Sequence, residues 1–406
     1  MTTNRCDLDE GIPVIRSTRR RAGVLGLALA VGGVLLGAAP AVAAPESAAP
    51  GTVTASETLP RDLWYPGSAD AKKLTYWTTG ATGEPALSTG TVFVPEGPAP
   101  EGGWPVLSWA HGTVGLGDGC APSVVGPGAR ERDFAYLGTW LDQGYAVVAS
   151  DYAGLGTPGT MAYLDGKSEA HNVVDMVKAG RAVEPSLSNT WVAIGQSQGA
   201  GAAITTARYA TEFGGPDLDY RGAVGTGVPA YIENIVALAG PGFPPVALPG
   251  GLTVYSLYIL AGLNAAHPEL DLPSLLNDSG RSWLAKAETE CYDQLKSAAS
   301  GLVIGSLFAK PLSTIPNIQG VLADYMGVPE TGYDKPFFMG QGLKDTDIIM
   351  PSTLLLASTL ARNGEPVTFK TYPTDHSGTM AASLPDTLPF VRELFDGQTP
   401  APSTGS

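Results

Sequence analysis

Between residues 91 and 213 the apolar positions follow two alternating patterns. The segments "TVFVP" (residues 91–95), "WPVLSWAHG" (104–112), "YAVVASDY" (145–152) and "TWVAIGQS" (190–197) are short, nearly continuous apolar runs. Such runs predict strands covered on both faces. Residues 130–144, 169–183 and 198–213 instead place apolar side chains three and four positions apart, which predicts helices. Strand alternating with helix implies an α/β fold, a mostly parallel sheet with helices on both faces. The alternation stops after "RGAVGTGVP" (221–229) and resumes at "KPFFMGQG" (335–342), followed by a helix over 351–364, the strand "VTFKTYP" (367–373) and a last helix over 379–395. This divides the chain into a core of residues 44–229 and 326–396, an inserted helical lid or cap of residues 230–325, and a polar tail of residues 397–406 that is expected to be disordered. Ahead of the first predicted strand, residues 45–60 are polar and proline-bearing, and no internal repeat is found.

The first 43 residues read differently. Arg16, Arg19, Arg20 and Arg21 precede an apolar run over residues 22–39 and the small-residue stretch "AVAA" (41–44). That is the pattern of a cleaved signal peptide, exported by the general or the twin-arginine route, and it implies a secreted protein. The run is rich in glycine and alanine and ends at a cleavage pattern, so no stable membrane anchor is expected. Residues 1–43 hold five basic and three acidic residues, so the net charge of −15 becomes −17 without them. A surface this acidic repels nucleic acid. Cys120 and Cys291 remain as an even pair in an oxidising setting and are expected to be bonded; two separate buried thiols are the alternative. With no histidine near them they make no zinc site, and no metal or other cofactor is implied.

The candidate chemistry centres on "GQSQG" (195–199). A G-x-S-x-G match alone is weak, since a chain this rich in glycine carries one by chance roughly once in two or three. Its context strengthens it, because an apolar strand precedes Ser197 and a helix of small residues follows, as a nucleophile elbow requires. A serine hydroxyl needs a base, an acid to orient the base and donors for the oxyanion. Of the four histidines, His376 follows the last strand and is the expected base. His171 and His267 read as structural or surface residues, and His111 as a buttress of its loop. Asp345 or Asp347, in "GQGLKDTDIIMP" (340–351), supplies the acid, with Asp345 preferred because it stands three residues after Gly342; Asp375, beside the histidine, is a weaker candidate. The order Ser, Asp, His is that of α/β hydrolases. The N–H groups of Gln198 and of Thr113, in "HGT" (111–113), are the expected oxyanion donors.

Taken together, "HGT", "GCAPS" (119–123), "SDYAGLG" (150–156), "GQSQG", "GLKDTDIIMP" (342–351) and "DHSGT" (375–379) resemble the microbial secretory lipases related to fungal lipase A, over residues 59–395. The residue before the serine is Gln196, where that family more often has an aromatic. The resemblance implies an α/β-hydrolase core with an inserted lid, a Ser197, Asp345, His376 triad, a disulfide at Cys120 with Cys291 as its partner, and cofactor-free cleavage of triacylglycerol or other carboxylic esters. A short-chain esterase, an acyltransferase on the same triad and a non-catalytic binding protein on the same scaffold are the rival expectations. Acyl chain length and oligomeric state are not encoded in any of these motifs.

Overall fold

The computed structural model describes residues 49–397 together with Pro400 and Ser403. The expected signal peptide and most of the expected tail lie outside the described residues; Ser403 itself pairs with the sheet, its carbonyl accepting the Phe369 N–H at 2.7 Å. One nine-stranded sheet organises the chain. Its strands are β1 (Val53–Thr58), β2 (Ser68–Thr79), β3 (Pro85–Pro95), β4 (Trp104–Ala110), β5 (Ala146–Ser150), β6 (Leu187–Gln196), β7 (Asp219–Thr226), β8 (Phe337–Gly342) and β9 (Val367–Tyr372), in spatial order β1-β2-β3-β5-β4-β6-β7-β8-β9. From β5 to β9 all neighbours are parallel, whereas β1, β2 and β3 join antiparallel.

The fold is the mostly parallel α/β sheet expected, but β1 and β2 were not legible. β1 is an edge strand with an almost entirely exposed, polar sequence, and β2 carries polar residues between its buried positions Ala71, Leu74, Tyr76 and Thr78. Strands with one solvated face lack the continuous apolar signature of the parallel half.

The helices are α1 (Pro122–Val125), α2 (Arg130–Asp142), α3 (Gly166–Val183), α4 (Gln198–Gly214), α5 (Ile232–Val236), α6 (Gly250–Ala266), α7 (Asp278–Ala287), α8 (Tyr292–Ala298), α9 (Ile318–Met326), α10 (Met350–Arg362) and α11 (Thr379–Phe395). Consecutive residues of β4 and β5 serve opposite faces, which is why these strands read as unbroken apolar runs. Val106 and Val148 belong to one apolar cluster with α3 and α4, while Leu107, Trp109 and Val147 belong to the other with α2 and α11. The first cluster continues into α6, α7 and α9, so the helical segment between β7 and β8 shares the core of that face. A disulfide between Cys120, after β4, and Cys291, before α8, joins this segment to the sheet's loops. Beside it Val114 O accepts the Tyr292 N–H at 2.9 Å.

Candidate active site

Every expected site residue leaves the carboxyl end of a parallel strand, where α/β sheets place their ligands. Ser197 directly follows β6, Thr113 lies three residues after β4, Asp345 three after β8 and His376 four after β9. Ser197 takes φ 59° and ψ −123°, a conformation rare for a non-glycine residue and held by its surroundings. Close approach explains the flanking glycines: a Cβ on Gly195 would sit 2.0 Å from Gly199 O, and one on Gly199 would sit 1.9 Å from Ala110 O. No larger residue fits either place without moving the backbone.

His376 Nδ1 lies 2.6 Å from Asp345 Oδ2. That contact assigns the ring proton to Nδ1 and leaves Nε2 as the free acceptor. Nε2 is buried with no hydrogen-bond partner among the described residues. Asp345 is fixed in turn. Its Oδ1 accepts the N–H groups of Asp347 (2.9 Å) and Ile348 (2.8 Å), and its Oδ2 also accepts from Gln341 Nε2 at 3.2 Å. Asp347 therefore contributes its backbone to the carboxylate that meets the ring. Asp375 turns away, accepting the Gly378 N–H at 2.8 Å.

The N–H of Gln198 opens the first turn of α4, where helical N–H groups lack an intrahelical acceptor. The Gln198 side chain is pinned, donating from Nε2 to Glu169 Oε1 at 2.7 Å. Glu169 is buried, and burial pushes its carboxyl up to about 8, with the Gln198 donor pulling the other way and Asp165 adding to the rise. It is therefore largely neutral at pH 7. On the other side the Thr113 hydroxyl lies 2.6 Å from Tyr163 Oη, and Tyr163 O accepts from Tyr325 Oη of α9 at 2.7 Å. Both expected oxyanion residues are thus braced by side chains on or beside α3.

Ser197 stands where two cavities meet. One, of about 690 Å³, also borders His376 and Thr113; the other, of about 610 Å³, borders Gln198 and runs between the carboxyl ends of β6, β7 and β8 and helix α6. Residues 129–327 match the family described as secretory lipase, a span that holds Ser197 and the helices between β7 and β8 but ends before Asp345 and His376. Over that span the chain is similar to the secretory lipase family. Among relatives it is similar to Lipase A of Moesziomyces aphidis, 27% identical with 87% of this chain and 78% of that one aligned. It is also similar to a secreted triacylglycerol lipase of Malassezia globosa, 25% identical over 87% of this chain and 77% of the other. In structure it resembles Candida antarctica lipase A in its closed state, at TM-score 0.73 and 23% identity, covering 88% and 86% of the two chains. A rice cell wall degrading esterase from Xanthomonas oryzae shares the fold at TM-score 0.67 and 20% identity, covering 86% and 100%.

The remaining histidines have other partners. His111 is buried, its Nδ1 2.7 Å from Gly112 O and its ring against Tyr152. His171 stacks on Phe213 at 3.6 Å, and burial lowers its pKa to about 4. His267 Nδ1 lies 2.8 Å from Glu269. Reading the sequence missed Gln341, Glu169 and Tyr163. Gln341 precedes a glycine at the end of β8 and is wholly buried, which no local pattern reveals. For Glu169 the available signal was a carboxylate at helical spacing from Asn172 and Val173, on the face of α3 that is buried.

Proposed function

We propose that the protein is an exported serine hydrolase of carboxylic esters with an apolar acyl group, working through Ser197, His376 and Asp345. The observation that carries the reading is the pairing of His376 Nδ1 with Asp345, which leaves a buried, partnerless Nε2 on the wall of the cavity that Ser197 also lines. Ser197 Oγ attacks the ester carbonyl while His376 takes its proton. The N–H groups of Gln198 and Thr113 bind the oxyanion, and the proton passes to the departing alcohol as the acyl-enzyme forms. Water, activated by the same imidazole, then releases the acid. Residues 230–325 act as a lid whose apolar cavity receives the acyl chain. Triacylglycerol is the substrate class named for the Malassezia globosa relative and is taken here as one member of the lipid-ester class.

The test is hydrolysis of p-nitrophenyl esters of graded chain length by the protein lacking residues 1–43 and by its Ser197→Ala variant. The variant is expected to lose a factor of about 10⁵ or more in kcat. Equal activity in the two proteins would remove Ser197 from the mechanism.

A further inference from the structure

The two cavities at Ser197 differ in chemistry, and one residue tells which part of an ester each receives. In the proposed mechanism His376 must hand its proton to the departing alcohol, so that oxygen has to lie beside His376. His376 borders only the 690 Å³ cavity. The alcohol therefore occupies that cavity, and the acyl chain occupies the 610 Å³ cavity, where among the described residues the only charged side chain is Asp347 at the shared mouth.

The alcohol side has apolar wall at Val114, Val125, Pro127 and Tyr255, but it also carries charge that the acyl side lacks. Arg132, Asp133, Asp293, Lys296, Asp347 and Asp375 all border it. The Arg132 guanidinium donates to Asp133 Oδ1 at 2.7 Å and to Ser377 Oγ at 3.2 Å, leaving Nη2 without a partner among the described residues. Lys296 Nζ lies over the Tyr292 ring, 5.3 Å from its centre. Four carboxylates offer acceptors and two cations offer donors around one groove, an arrangement that suits a ligand presenting several hydroxyl groups. Laying further acyl chains there would strip water from these ions without replacing their hydrogen bonds. An alcohol carrying hydroxyls replaces them.

We propose that the groove lined by Arg132, Asp293 and Lys296 is a subsite for a polyhydroxylated alcohol, and that the preferred substrates are esters of one apolar acid with glycerol or a sugar. This inference rests on the proposed roles of Ser197 and His376. It also implies that a triacylglycerol, whose leaving group is a diacylglycerol, is cleaved more slowly than the matching monoacylglycerol.

The experiment compares monomeric octanoate esters on the protein lacking residues 1–43. Monooctanoylglycerol is set against butyl octanoate, and glucose monooctanoate against cyclohexylmethyl octanoate, so that each polyol has an apolar alcohol of similar size. The polyol ester of each pair is expected to show at least tenfold higher kcat/KM, and the faster of the two polyol esters identifies the source of the hydroxyls. In an Asp293→Leu, Lys296→Leu double variant, both positions being exposed on α8, the ratio should move toward one. Arg132→Met should do the same. Ratios of one or below in the unaltered protein overturn the proposal, as do unchanged ratios in both variants. If no ester is cleaved and Ser197→Ala makes no difference, the mechanism itself fails, and the subsite assignment with it.

Discussion

Helices α4 and α6 are each seventeen residues long and are built on opposite principles. α4 begins at the elbow with Gly199, Ala200, Gly201, Ala202 and Ala203, all buried, so that its backbone packs directly onto the ends of β4 and β6. α6 carries bulky residues. Leu252, Tyr255, Ile259 and Leu260 border the apolar cavity, while Val254, Leu257, Tyr258 and Leu263 are buried in the inserted segment. Small residues bring backbone N–H groups and a strained serine to fixed positions, which electrostatic stabilisation of an oxyanion demands. Large apolar side chains instead shape a cavity whose fit can vary by rotamer without disturbing that geometry. In the proposed mechanism, chemistry resides in the first kind of packing and substrate fit in the second.

If that division holds, damage to the core's polar relay should slow every substrate alike. Asp345→Asn keeps an acceptor for the Asp347 and Ile348 N–H groups but loses the charge that holds the imidazole. The expected loss in kcat is about 10⁴, as for the corresponding change in serine proteases. It should be equal for short and long acyl chains, so a loss that varied with chain length would break the comparison.

The disulfide is the covalent link between the two kinds of packing. Replacing Cys120 and Cys291 with serine opens a loop of 171 residues, for which chain entropy sets a ceiling of about 5 kcal/mol on the lost stability. Chemical denaturation would measure it. Because the disulfide ties the helical segment that walls the apolar cavity to the loop after β4, long-chain esters should lose more activity than short ones in this variant.

A smaller effect concerns Glu169, which stands between α4 and the inserted helices. Its folded pKa of about 8 is raised above the ordinary glutamate value, so its contribution to stability is full below about pH 4.5, falls as the unfolded chain ionises above that, and is lost by about pH 8. Glu169→Gln should therefore gain stability relative to the unaltered protein between about pH 4.5 and 8, by up to a few kcal/mol. Melting temperatures across that range test the sign. Above pH 8 a charged Glu169 beside Gln198 also opposes a negative oxyanion, and the variant should keep its rate where the unaltered protein declines.

Much of the parallel half was legible in the sequence, because strands buried on both faces must be apolar at consecutive positions and the helices between them must repeat every three to four. The elbow was legible for a related reason, since only glycine tolerates the contacts at Gly195 and Gly199. The antiparallel strands β1 and β2 were not, having one solvated face and no continuous apolar run. Motif spacing could name Asp345 or Asp347, but only the folded chain decides which carboxylate meets His376, because that contact joins two loops 31 residues apart. The same holds for Glu169 against Gln198, Tyr163 against Thr113, and the charged groove against the apolar one. Local patterns report what a residue's own element needs. Contacts between elements depend on how the strands are ordered in space, and the order β5-β4-β6 in this sheet is set by packing across the whole domain.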